Sequence, residues 1–76
     1  MKIKLIFHGS LKKYNNNRHE IEINVLEMIT VGQLIANTMV PKQEIAFAAV
    51  NGSRVSTSQN INEGDEVKLF QIVGGG

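Results

Sequence analysis

The sequence predicts an α+β fold in which one short helix lies across a small mixed sheet. Three observations predict it: two alternating blocks near the start, one stretch of helical spacing in the middle, and a strongly alternating block just before the end.

From residue 2 to residue 8 the chain alternates. Ile3, Leu5 and Phe7 point one way, and Lys2, Lys4, Ile6 and His8 the other, as in a strand with one face buried. Gly9-Ser10 interrupts this strand, Leu11 and Tyr14 supply apolar anchors, and Asn15-Asn16-Asn17 suits a reversal because Asn tolerates left-handed backbone. Glu20 to Val25 alternates again, which puts Ile21, Ile23 and Val25 inward and Glu20, Glu22 and Asn24 toward water. These two blocks form an antiparallel hairpin.

The spacing then changes. Val31, Leu34, Ile35 and Met39 recur at three and four residues, so a helix is expected from about Val31 to Thr38, with Thr30 as its N-cap and Pro41 marking its exit. Ile45 to Val50 reads as a buried strand. Asn51-Gly52 is a tight-turn signal, and Arg54 and Val55 start the return. A polar stretch, Ser56 to Asn62, and a Gly64-Asp65 turn lead into the last strand, Glu66 to Val73, expected to lie beside the first. There are no internal repeats. One domain is expected over residues 1–73, followed by a flexible glycine tail over 74–76.

A chain of 76 residues buries only roughly 60% of the surface its unfolded form exposes, so it has room for one modest core. Apolar residues make up 42% and charged residues 20%, a globular composition rather than a disordered one. A formal charge of +1 provides no single-sign field for nucleic acid or an anionic membrane, and the Lys12, Lys13, Arg18 cluster is too small to argue otherwise. The apolar run at the N-terminus is too short for a signal peptide, and the longest one, Ile45 to Val50, cannot span a bilayer. A cytoplasmic protein is expected. The absence of cysteine excludes disulfides, thiolate metal sites and a cysteine nucleophile on this chain.

His8 and His19 have no neighbouring acid or thiol cluster, so no metal site is expected. Glu63, Asp65 and Glu66 sit together, but catalytic carboxylates need a cleft and shifted pKa values, and a solvated turn explains them more simply. In the last strand Val67 and Leu69, with Gln71, alternate with Lys68, Phe70 and Ile72. Val67 and Leu69 belong to the core. Phe70 and Ile72 then share the open face of the sheet with Ile6 and His8, and an exposed apolar patch on a small protein marks an interface. A loop such as Arg54 to Asn62 lying over that patch is the competing arrangement.

The feature that folding leaves unexplained is Gly74-Gly75-Gly76, placed directly after a strand. Glycine is costly to order and adds no packing. A frayed end is the plain reading. The functional reading is that a carboxylate must pass through a narrow channel, which demands a backbone without side chains. Three extended residues reach at most about 10 Å beyond Val73.

In these residues the chain resembles a known family. Ala49-Val50-Asn51-Gly52, Gly64-Asp65-Glu66-Val67 and Leu69 to Gly76, together with Lys2 to Phe7 and Ser10 to Tyr14, resemble the ThiS and MoaD sulfur carriers, relatives of ubiquitin. The resemblance implies a ubiquitin-like β-grasp fold. It also implies a non-enzymatic carrier whose Gly76 carboxylate is adenylated by an E1-like enzyme at the expense of ATP. A sulfurtransferase then converts it to a thiocarboxylate, and a large synthase subunit can be a further partner. No cofactor is bound by the carrier itself, and Phe70 is implied as a contact for the activating enzyme. The ending Leu69-Phe70-Gln71 is similar to the thiamin thiazole branch, because MoaD proteins usually carry Pro-Pro where Gln71-Ile72 stands. The longer opening hairpin with Leu11 to Tyr14 is similar to the molybdopterin branch, and both pathways stay open. Two other functions stay open as well: a protein modifier joined to lysines through Gly76, and a β-grasp interaction module with an incidental glycine end.

Overall fold

In a computed structural model that describes residues 1–73, strands β1 (Lys2–Phe7), β2 (Glu20–Asn24), β4 (Ile45–Val50), β5 (Ser53–Val55) and β7 (Glu66–Gln71) form one sheet in the order β2-β1-β7-β4-β5. β1 runs antiparallel to β2, as expected; β7 lies beside β1, also as expected, and is parallel to it, while it runs antiparallel to β4. The one α-helix among the described residues, α1 (Val31–Ala36), packs on one face, which completes the β-grasp arrangement. The glycine tail expected over 74–76, with the Gly76 carboxylate as its working group, lies outside the described residues.

The core follows the alternation of the two central strands. Ile3, Leu5 and Phe7 of β1 and Val67 and Leu69 of β7 are all buried against Leu11, Val31, Leu34, Ile35, Ala48 and Ile61. Ile21 departs from the expectation: it lies opposite Leu5 on the helix side but is 40% exposed. β2 is an edge strand, and a helix of six residues does not reach across to cover it. A groove lined by Ile21, Ile23, Leu34 and Met39 opens there instead.

Every donor in the first turn of α1 has a partner. Val31 N–H donates to Gln59 O (2.9 Å) and Gly32 N–H to Thr57 O (2.8 Å). Thr30 Oγ1 accepts from Gln33 N–H (3.1 Å) while Gln33 Oε1 accepts from Thr30 N–H (2.8 Å), a reciprocal capping box. The helix stops at Ala36 rather than Thr38. Thr38 Oγ1 donates to Ile35 O (2.7 Å) and accepts from Val40 N–H (3.2 Å), an alternative to continued helix that turns the chain aside. Val40 is buried as a result, and Met39, expected on the apolar face, is 80% exposed.

Two further elements fall in segments expected to be irregular. Gly9–Asn15 is a 3₁₀ helix with Leu11 fully buried, closed by left-handed Asn16 (φ 53) and Asn17 (φ 62). Within the polar stretch, Ile61 is fully buried, and β6 (Asn60–Ile61) pairs with β3 (Ile29–Thr30) in a small second sheet. β7 is also shorter than expected, ending at Gln71 rather than Val73. Its neighbour β4 begins at Ile45, where a 3₁₀ turn (Lys42–Glu44) takes the chain away, so Ile72 keeps one bond, from its N–H to Glu44 O (3.2 Å).

The turns are tied to one another. Asn51 (φ 51) and Gly52 (φ 88) make the two-residue connection between Val50 and Ser53. The Asn51 side chain donates to Asp65 Oδ1 (2.9 Å) and accepts from Glu66 N–H (2.9 Å). Asp65 Oδ2 accepts from Asn62 N–H (2.7 Å). Asp65 therefore closes a turn.

Candidate functional site

Facing away from α1, the sheet divides into two halves. At the β2 side, Lys2 and Lys4 pair with Glu22 (3.7 Å) and Glu20 (3.9 Å), exposed ion pairs of little energetic weight. Toward the C-terminal ends of the parallel strands β1 and β7 the surface becomes aromatic.

Phe70 is the centre of this aromatic half. Its ring lies 5.0 Å from that of His8 and stacks on Phe47 with centroids 4.5 Å apart and planes at 17°. Arg54 lies over the Phe47 ring at 4.7 Å and Lys68 over Phe70 at 5.1 Å, both within cation–π range. Ile6, beside Lys68 in register, is half-buried, and Ile72 is 51% exposed. The four residues expected at the interface, Phe70, Ile72, Ile6 and His8, therefore fall toward the end of the sheet where β7 finishes. Arg54, the first residue of the segment expected as a covering loop, lies on the patch from strand β5. Phe47 and Phe70 are left half-buried.

Sequence reading missed Phe47. Phe47 continues the unbroken register from Val50–Val67 to Phe47–Phe70, which puts it on the face away from the core, and Ala46 bulges beyond that pair, so that Ile45, opposite Gln71, returns to the core side. No local signal announces that bulge. Arg54 and Lys68 were legible, each alternating with an inward Val55 or Val67.

Among the described residues there is no cluster of His, Cys, Asp and Glu able to hold a metal ion. No helix there is long and apolar enough to cross a membrane. The carboxylates Glu63, Asp65 and Glu66 line none of three grooves formed by the described residues. The chemistry-bearing residues thus reduce to an aromatic and cationic patch beside a glycine terminus.

The ThiS family model matches residues 5–76, so it spans the sheet, the patch and the terminal glycines. The chain belongs to the ThiS family. No curated protein matches it. Among solved structures, a Pyrococcus furiosus protein provisionally assigned as molybdopterin converting factor, subunit 1, is similar at 26% identity and a TM-score of 0.75, covering 96% of this chain and 99% of that one. SAMP1 from Haloferax volcanii has the same fold, with a TM-score of 0.75 at 17% identity over the full length of both chains. The ThiS-family assignment agrees with the ubiquitin-like β-grasp fold described above.

Proposed function

We propose that this ThiS-family chain is a sulfur carrier whose working group is the C-terminal carboxylate of Gly76. The observation that carries the reading is the juxtaposition of a docking-type patch, centred on Phe70, with a family match that runs through Gly76. A free carboxylate is a poor electrophile. An E1-like enzyme activates it by forming an acyl adenylate from ATP with release of pyrophosphate, and sulfur delivered by a sulfurtransferase then displaces AMP. The product is a terminal thiocarboxylate that donates sulfur in molybdopterin or thiamin thiazole biosynthesis, with a large synthase subunit as a further partner.

In this scheme the chain is a cosubstrate and not a catalyst, and ATP is bound and consumed by the partner. The sheet face and the tail divide the work. Phe70, Phe47, Ile72, Ile6 and His8 hold the folded domain against the activating enzyme, while Gly74 to Gly76 enter its pocket, where only backbone fits.

The test is the intact mass of the protein isolated from its own host, read for replacement of one oxygen by sulfur, with a chain lacking Gly75-Gly76 as the control. The expected result is the sulfur-bearing species in the full chain alone. A full chain never bearing sulfur, or a truncated one that still supports cofactor synthesis, overturns the reading.

A further inference from the structure

Two hydrogen bonds restrain the chain at and just after the last pair of the β7 ladder, and both lead to the 3₁₀ helix Gly9–Asn15. The first is made by Gln71, whose side-chain Oε1 accepts from Ser10 N–H across 61 positions of sequence. The second joins Ile72 N–H to Glu44 O (3.2 Å). Glu44 is itself held from the same helix: Tyr14 OH donates to its Oε2, and Lys13 Nζ lies 3.9 Å from its Oε1. The helix is fastened at its start to the sheet by His8 N–H donating to Leu69 O (2.9 Å), and in its middle by the fully buried Leu11.

Gly9 shows that the Gln71 contact is built into the chain. It has φ +60, and a Cβ there would collide with the Gln71 carboxamide. Only glycine both adopts that backbone without strain and leaves room for the side chain lying over it. Gln71 sits on the α1 side of the sheet, in register with Ile45, where an apolar residue would continue the core. A carboxamide there gives up packing and gains an acceptor for an otherwise unpaired 3₁₀ amide.

We infer that the 3₁₀ helix Gly9–Asn15 is a clasp that fixes the point and direction at which the C-terminal tail leaves the sheet, with Gln71 as its positioning residue. The functional part of this inference rests on the sulfur-carrier reading. A terminal carboxylate that must meet ATP in another protein's pocket gains from a fixed starting point, since freedom at residues 71 and 72 multiplies the orientations in which the tail misses. Docking through Phe70 and delivery from Gln71 are then separable: the first sets how tightly the carrier binds, the second how often a bound carrier reacts.

Gln71→Met keeps length and volume but removes the acceptor, whereas Gln71→Glu keeps an acceptor oxygen. Amide hydrogen exchange on the isolated full chain reads the clasp directly. In Gln71→Met, Ser10 and Ile72 are expected to exchange roughly five- to tenfold faster, as loss of one hydrogen bond implies, while Leu5 and Val67 are unchanged and Gln71→Glu restores protection. With an activating enzyme, pyrophosphate release from Gln71→Met is expected to show a several-fold lower kcat at unchanged KM, again restored by Gln71→Glu.

Unchanged exchange at Ser10 and Ile72 overturns the clasp, and so does a Gln71→Met chain whose loss falls on KM. Gly9→Ala provides a second variant, expected to loosen the same two amides from the opposite side of the contact. Should the wild-type chain not be adenylated at all, the sulfur-carrier reading fails, and the clasp is decided by exchange alone.

Discussion

Phe47 and Phe70 stack face to face across β4 and β7, their centroids 4.5 Å apart, because the unbroken register from Val50–Val67 to Phe47–Phe70 pairs them on the face away from α1. A single-residue bulge at Ala46, just beyond this pair, turns Ile45 back to the core side and leaves the two rings as one aromatic plate. Arg54 and Lys68 lie over its two rings, so the plate offers both apolar area and fixed positive charge to a partner.

Phe70 touches both His8 and Phe47, which makes it the keystone of the patch. Phe70→Ala is expected to lower affinity for the E1-like partner roughly tenfold or more, as loss of a central aromatic contact does. Because the ring is only half-buried, the fold should survive with a loss of about 2 kcal/mol, less than full burial would imply. Titration of the partner with wild-type and variant chains checks it, and equal affinities would remove Phe70 from the interface.

How much of this was legible in sequence depended on whether one strand carried its own evidence. β1 and β7 are central strands with one face on the core, so alternation alone placed Ile3, Leu5, Phe7, Val67 and Leu69 correctly. Ile21 shows the same alternation and is exposed, because periodicity states which face a residue takes and not whether anything covers that face. Ile61 stands alone among polar residues and has no period to read. The bond between Gln71 and Ser10 joins positions too distant in sequence for any local pattern to connect.

Ile61 and Ile21 therefore provide a paired test of burial. Ile61→Ala removes a fully buried side chain at the junction of β6, β3 and the core, and is expected to cost about 3 kcal/mol. Ile21→Ala, at an edge with its side chain partly in water, is expected to cost less than about 1 kcal/mol. Urea midpoints measure both. Equal losses would mean that the short β3-β6 sheet does not seal the core.

The helix depends on its first turn more than a longer one would, since six residues are too few to persist by propensity. Thr30→Ala is expected to lower stability by about 1 kcal/mol through loss of the bond to Gln33 N–H. Thr30→Ser, which keeps the hydroxyl, should recover most of it. A Thr30→Ser chain no more stable than Thr30→Ala would assign the effect to the lost methyl group instead.

Tyr14 links the 3₁₀ helix to Glu44, and its phenol is held above the usual value: chiefly by its hydrogen bond to Glu44, then by burial, then by the negative charge of that carboxylate. A folded-state pKa raised above the unfolded one contributes stability that is complete below the unfolded value, near pH 10, and is lost as pH rises through the folded value. Tyr14→Phe lacks the titrating group. The variant is expected to be less stable than wild type at pH 8, and the gap should narrow as pH rises above about 10. Urea midpoints of the two chains from pH 8 to pH 11 decide the matter, and a gap that stays constant across that range would show that the phenol is not held by Glu44 in solution.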